Sequence, residues 1–353
     1  MTQAKNTLLI TGAAGFIGST FVRLRAAEGY DCIVLDALTY AGFRGNIEPD
    51  EVQGPGSVTL VEGDIRNADL VRQILQKYPV AGIFNFAAET HVDRSIEGPK
   101  AFIETNINGT FTLLNEALTY WSGLPDESEI KGQFRYLQVS TDEVYGTLGE
   151  VGKFNELSPY LPRSPYAASK AAADHLVRAW YHTYGLPTLV TTCSNNYGPR
   201  QYPEKLIPLM IRCALQGAPL PVYGNGGNIR DWIHVEDHCE GVWLAYQKGH
   251  IGQTYGFGGD AERSNIEVVQ MICQILDEHH PRPDGKSYIE QITFVKDRLA
   301  HDWRYATDDR KAHRELGFTR KTSSFEAGLQ KTVQWYLENQ VWVERVLVQS
   351  RVL

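Results

Sequence analysis

The run Gly12-Ala13-Ala14-Gly15-Phe16-Ile17-Gly18 lies between an apolar segment, residues 7–11, and a helix-periodic one, residues 16–28. Glycines at that place let a chain leave a strand and enter a helix within a few residues, with bare backbone exposed at the turn. Short apolar runs then recur at 32–36, 58–62, 82–86, 136–140 and 188–192. Helical periodicity fills the gaps at 67–78, 100–121 and 166–184, and Pro99 and Pro165 stand near helix starts, where a missing N–H costs little. Strands that alternate with helices in this way predict a parallel sheet with helices on both faces, a Rossmann-like doubly wound α/β fold.

From about residue 195 the rhythm changes to turns such as Tyr197-Gly198-Pro199, Gly217-Ala218-Pro219 and Tyr223-Gly224-Asn225-Gly226-Gly227. A smaller C-terminal mixed α/β lobe is expected there. Residues 235–247 and 253–258 again look like a helix and a strand, so the chain is expected to return to its first unit. The expected division is a first domain over 1–194 with about 229–258 returning to it, and a second over 195–228 and about 259–353.

With 353 residues, 42% of them hydrophobic, the chain can bury a substantial core. Only Leu8-Leu9-Ile10 precede the glycine turn as an apolar run, and no stretch of about 18 apolar residues occurs, so a cytoplasmic location is expected. Cys32, Cys193, Cys213, Cys239 and Cys273 are odd in number and form no C-x-x-C pair, which argues for free thiols and against a metal site. His279-His280 before Pro281 reads as loop. A net charge of -8 gives no general attraction to nucleic acid or to a membrane surface. An anionic ligand must therefore be held by a few local cations.

The glycine turn is the first candidate site. Gly12, Gly15 and Gly18 allow a pyrophosphate to approach the backbone, and the helix opening at Phe16 and Ile17 supplies N–H groups and a positive dipole end. Taken alone, such a turn is weak evidence; its place between first strand and first helix makes it a dinucleotide signal. Asp36 ends the second strand, where a carboxylate binds both ribose hydroxyls and repels a 2′-phosphate, so NAD is favoured over NADP. Asp64 and Ile65 after the third strand are expected near adenine. Phe86, Ala87, Ala88 and Glu89 after the fourth offer small residues beside the cofactor.

The reacting groups lie in two further runs, Ser140-Thr141-Asp142-Glu143-Val144-Tyr145-Gly146 and Tyr166-Ala167-Ala168-Ser169-Lys170. Tyr166 and Lys170 are four apart on a predicted helix and share a face. A tyrosine base must bring its pKa from about 10 toward 7, roughly 4 kcal/mol, and one cation about 6 Å away at an effective dielectric of 20 supplies about 2.8 kcal/mol. A second positive charge is needed, and oxidised nicotinamide provides it. Asp142 and Glu143 sit at the carboxyl end of a strand, the edge where open parallel sheets place ligands. A ketone formed by oxidation acidifies the neighbouring C–H, so one carboxylate can act there as base while the other, protonated, releases a hydroxyl from the next carbon. Successive strand residues diverge, so a turn or helix start is expected at 141–143.

These residues resemble the dTDP-glucose 4,6-dehydratases, nucleotide-sugar enzymes of the extended short-chain dehydrogenase/reductase group, over nearly the whole chain. The matching runs are 11–18, Asp36-Ala37-Leu38-Thr39-Tyr40, 85–95, 140–146, 166–170, 193–199, 202–208, Arg230-Asp231-Trp232 and 298–305. The resemblance implies oxidation of the glucose at C4, loss of water across C5 and C6, and return of hydride to C6 to give a 4-keto-6-deoxy sugar. It implies Thr141 on the C4 oxygen, Asp142 as acid at the 6-hydroxyl, Glu143 as base at C5, Tyr166 as base at the 4-hydroxyl and Lys170 on the nicotinamide ribose. Leu38, Thr39, Cys193, Ser194 and Asn195 fall to the cofactor, and Glu89, Asn196, Lys205, Leu206, Pro221, Tyr223, Arg230, Asn265, Arg298 and His301 to the substrate. Lys205, Arg230 and Arg298 then supply the cations that a diphosphate requires. A homodimer pairing the helices near 100–121 and 166–184 is also implied.

Three places depart from the family pattern. Arg298-Leu299-Ala300-His301-Asp302 stands where relatives usually have Arg-Pro-Gly-His-Asp, Thr192 replaces a common arginine, and Phe43-Arg44 alter a familiar loop. A nucleotide-sugar 4-epimerase would share the Tyr/Lys pair but typically has small polar residues in place of Asp142 and Glu143. A UDP-glucose 4,6-dehydratase is the nearer alternative, because uracil and thymine differ by one methyl, about 1 kcal/mol of contact.

Overall fold

The computed structural model describes residues 7–48, 52–298 and 301–352. Seven strands form one sheet: β1 (Thr7–Thr11), β2 (Asp31–Asp36), β3 (Val58–Glu62), β4 (Val80–Asn85), β5 (Arg135–Val139), β6 (Thr188–Cys193) and, after three strands of the second lobe, β10 (Thr254–Phe257). Every pairing is parallel, in the order β10-β6-β5-β4-β1-β2-β3. β1, β4 and β6 are buried along their whole length, as strands covered on both faces must be. One face carries the helices Phe16–Ala27 and Val235–Lys248, which bring Phe21 and Trp243 into one core. The other carries Ala68–Lys77, Thr110–Gly123 and Pro165–Tyr184, which bring Ile74, Leu113 and Val177 into another. Each such fully buried side chain contributes about 1.5–3 kcal/mol.

The chain winds away from β1 toward β2 on one side and toward β4 on the other. That reversal opens a crevice beyond the carboxyl ends of β1 and β4, the natural ligand position of a doubly wound sheet.

A separate sheet joins β7 (Asn195–Tyr197), β9 (Ile229–His234) and β11 (Glu262–Ser264), and a parallel ribbon joins β8 (Leu220–Tyr223) to β12 (Ile292–Val295); Ile229–His234, expected with the first unit, thus pairs outside its sheet, and only Thr254–Phe257 of the returning segment joins it. Ile207, Met210, Val269 and Leu329 pack in a separate core there.

Two expected strands end earlier than their sequences suggest. Phe86 and Ser140 fall beyond β4 and β5, although their N–H groups still bond Thr11 and Thr191 of the next strands. The expected helix over 100–121 is not uniform: Ile103–Gly109 widens to a π-helix before the α-helix resumes at Thr110. His279 is not loop but the last residue of the helix Asn265–His279, which opens with a Ser264/Glu267 capping box. All five cysteines are free, and all but Cys213 are buried. Among the described residues no helix is long and apolar enough to cross a membrane, and no group of three His, Cys, Asp or Glu is placed to hold a metal.

Candidate active site

A cavity of about 330 Å³ runs across the crevice, and its walls come from both halves of the chain. At its cofactor end Gly12 adopts φ 66°, and a Cβ there would meet the Ala87 backbone at 2.5 Å. A Cβ on Gly18 would come within 2.7 Å of Ala13 Cα. Gly15 caps the helix Phe16–Ala27 without a side-chain hydrogen bond, so the first N–H groups are left for a ligand. This is a cradle of bare backbone at the mouth of the helix.

Asp36 is buried at the tip of β2, accepting from Ala14 N–H through Oδ2 and from Leu38 N–H through Oδ1, both at 2.8 Å. Two backbone bonds aim the carboxylate and leave further lone pairs for ribose hydroxyls. Leu38 itself does not line the cavity; it bends to φ 49° and serves through its N–H. Thr39, Asp64, Ile65, Phe86, Ala87, Ala88 and Glu89 do line it. Burial pushes the Asp64 carboxyl up, but its hydrogen bonds and ion pair with Arg66 more than reverse this and leave it low. Asn106, at the π-helix, bonds the N–H and C=O of Glu89 and also Ser169, which ties that strand end to the helix Pro165–Tyr184.

Beyond β5 the chain turns into a 3-10 helix, Asp142–Tyr145, capped by Thr141, whose hydroxyl accepts from Glu143 N–H at 3.3 Å. The turn brings Asp142 and Glu143 to the same cavity wall as Tyr166 and Lys170. Ser164 caps the Tyr/Lys helix, Pro165 opens it and Gly185, with φ 72°, closes it. Lys170 donates to Val139 C=O at 2.7 Å.

The two carboxyls are not equivalent. Asp142 is pushed well above the carboxylate range by burial, then by the charges of Glu143 and Asp231, and its Oδ2 is buried without a partner. Glu143 is also raised by burial, but Arg230, Lys205 and Arg298 pull it back. Three cations from separate segments therefore converge on one carboxylate. Tyr166 is raised by burial and by Glu143, with the Thr141 hydroxyl pulling it down.

Cys193, Asn195, Asn196 and Lys205 complete the wall. Asn196 is oriented by donating to Cys193 Sγ at 3.3 Å and by His238 Nδ1 at 2.9 Å; burial lowers that imidazole to about 3 and keeps it neutral. The remaining expected substrate residues, Leu206, Pro221, Tyr223, Arg230, Asn265, Arg298 and His301, do not line this cavity. Arg230 lies over the Tyr305 ring at 4.5 Å and donates to the Asp302 C=O. Arg298 pairs with Asp93 and lies 5.3 Å over Tyr223, and His301 bonds Asp297. Pro221 and Tyr223 share β8, while Leu206 and Asn265 open helices that pack into the second core or cap against Asn228.

Tyr40, Thr90, Gln201, Tyr202 and Glu204 line the cavity without having been singled out as site residues. Their signal was position alone, next to Thr39, Glu89 and Lys205. Of the departures, Leu299 and Ala300 lie outside the described residues. Thr192 is fully buried inside β6. Phe43 packs edge-on against Trp342 at 6.2 Å, while Arg44 forms an exposed pair with Glu62.

Residues 9–332 match the family model for GDP-mannose 4,6 dehydratase. A dTDP-glucose 4,6-dehydratase of Xanthomonas campestris pv. campestris is 55% identical, with 97% of this chain and 96% of the relative covered. This chain belongs to the dTDP-glucose 4,6-dehydratase family. Among solved dTDP-glucose 4,6-dehydratases, one from Streptomyces venezuelae with NAD bound superposes with a TM-score of 0.85 at 44% identity, covering 96% of this chain and 99% of that one. Another, from Bacillus anthracis in complex with NAD, gives 0.82 at 43%, covering 97% and 99%. Both of these relatives were solved with NAD bound.

Proposed function

We propose that the chain dehydrates dTDP-glucose to dTDP-4-keto-6-deoxyglucose. The observation that carries this is the unequal setting of the buried Asp142/Glu143 pair on one cavity wall: burial and like charges push Asp142 up, while three cations pull Glu143 back against the burial that raises it. An elimination needs such a pair, one acid and one base side by side.

NAD, when bound, supplies the reversible two-electron chemistry at the sugar and leaves the cycle unchanged. Gly12, Gly15 and Gly18 would hold its diphosphate, Asp36 its adenosine ribose and Lys170 its nicotinamide ribose. Tyr166 takes the proton of the 4-hydroxyl as C4 becomes a ketone, with Thr141 on the C4 oxygen. Glu143 removes the C5 proton, and the electron pair of that C–H bond forms the C5–C6 double bond. The C6–O bond breaks as Asp142 gives its proton to the 6-hydroxyl, which leaves as water. When C6 is reduced, Glu143 returns its proton to C5 and C4 stays a ketone; the proton held by Tyr166 goes to solvent, from which Asp142 is reprotonated for the next cycle. Lys205, Arg230 and Arg298 neutralise the diphosphate of the substrate.

A homodimer is part of the reading. Phe111 is half exposed and packs edge-on against Trp180 at 5.8 Å, and Ile103 and Tyr184 extend this apolar strip along the helices Thr110–Gly123 and Pro165–Tyr184. A cytoplasmic setting agrees with five free thiols.

The purified protein is incubated with dTDP-glucose and, separately, with UDP-glucose, and the products are weighed by mass spectrometry. Loss of one water from dTDP-glucose is expected; no loss from either sugar nucleotide refutes the function. Sedimentation as a monomer at micromolar concentration refutes the dimer.

A further inference from the structure

We propose that Asp174 is the buried counter-charge that keeps Lys170 ionised, and that it thereby sets the pH at which Tyr166 works. This positioning role rests on the reading that Tyr166 and Lys170 form the proton-transferring pair.

Tyr166, Lys170, Asp174 and Arg178 recur every four residues along the helix Pro165–Tyr184 and stack on one face. Asp174 is completely buried. Its Oδ2 accepts from Ser140 Oγ at 2.6 Å and from Tyr160 OH at 3.0 Å, whereas its Oδ1 is buried with no partner. Tyr160 in turn accepts from Arg178 Nη2 at 2.9 Å, and that guanidinium lies 4.7 Å from the ring. The same helix face buries Ala171, Ala173 and Val177, so nothing in its packing asks for a carboxylate. A buried carboxylate is costly unless a cation compensates it.

The compensating charge is one helical turn away. Burial drives Lys170 toward its neutral form, and Asp174 leads the groups that oppose this, followed by Cys193 from β6. Burial likewise drives Asp174 toward protonation, and Lys170 leads the groups that pull it back, ahead of Ser140, Tyr160 and Arg178. Each holds the other charged, so the proton belongs to the pair. Cys193 acts on Tyr166 as well as on Lys170, and Glu143 and Asp142 from the 3-10 turn act on Tyr166; all three raise it. Lys170 and Arg178 are the two cations of this stack, Lys170 is the one that lines the cavity with Tyr166, and its charge is the one that Asp174 supports.

The test is Asp174→Asn in the full chain. Lys170 is titrated by NMR of isotope-labelled lysine side chains, with Lys170→Arg used to assign its signal. Its midpoint should fall by about one pH unit, and the acid limb of kcat should move to higher pH by a similar amount, about a tenfold loss of kcat on that limb. KM for dTDP-glucose should stay unchanged. Asp174→Glu restores the charge and should recover the limb even if it lowers Tm. If both variants lower Tm while the Lys170 midpoint and the limb stay in place, Asp174 is merely structural and the proposal fails. Should Asp174→Asn not fold, Tyr160→Phe removes one donor to the carboxylate and must move the Lys170 midpoint downward by a smaller step; no movement overturns the proposal. The wild-type chain separates the two readings. Failure to dehydrate dTDP-glucose refutes the active-site reading, while the lysine titration still decides the role of Asp174.

Discussion

The cofactor end of the cavity is written in backbone, and the sugar-nucleotide end in side chains. Gly12, Gly15 and Gly18 act by what they lack, and Asp36 is fixed by two N–H groups of its own neighbourhood. At the other end, Lys205 donates to Thr90 C=O, Arg230 to Asp302 C=O, and Arg298 pairs with Asp93. One end is preformed by the turn that makes the fold. The other is a set of charges already satisfied by the protein, which, on the proposed function, the substrate diphosphate draws away from their partners.

The contrast makes ordered predictions, beginning with the backbone. Gly12→Val drives a side chain into Ala87 at a left-handed φ, so the purified protein should carry no NAD after denaturing release. Retention of NAD by this variant would break the comparison. Asp142→Asn should lower turnover by about 10²–10⁴-fold while still allowing reduced nicotinamide absorbance to build up on mixing with substrate. It should also stabilise the fold. The folded carboxyl lies above its unfolded value of 3.8, so its contribution to stability is present below that value and is lost as pH rises through the folded pKa. The amide removes this loss, so Tm should rise by about 2–4 °C at neutral pH, with no gain below pH ~4, where the unfolded carboxyl is itself protonated.

Arg298→Met loses a charged hydrogen bond to the ligand, and KM should rise about tenfold or more with kcat and NAD content little changed. Asp93→Asn releases Arg298 from its competitor and should lower KM, sharpening the claim that the charges are pre-paired. The smallest effect is at the base: kcat/KM for UDP-glucose should trail that for dTDP-glucose by only about fourfold, the worth of one methyl.

What could be read in advance follows the same division. The strand positions, the glycine turn, the place of Asp36 and the 141–143 turn were legible because each is decided within a few residues. Leu206 and Asn265, expected against the substrate, open helices that pack against the second core or cap on Asn228, and sequence position cannot tell one face of a helix start from the other. Tyr40 and Thr90 reach the wall through loops whose course is set by packing. Asp174 shows the limit most plainly: its spacing from Lys170 is visible in the sequence, but Ser140 and Tyr160 arrive from elsewhere.

Phe43, the altered loop residue, carries a consequence for how the molecule is made. Its N–H bonds Ala14 C=O at 3.0 Å, beside the cradle, and Asn46 bonds the same carbonyl while accepting from Trp342 Nε1 at 2.8 Å across 296 residues of sequence. A nascent chain can fold its first strands and helices long before residue 342 is synthesised. The loop flanking the cradle gains its last support only when the helix Gln340–Val352 docks, so the newborn protein should capture its coenzyme late, as a finished chain. Trp342→Ala would expose this as slower recovery of bound NAD during refolding, with the secondary structure returning on schedule.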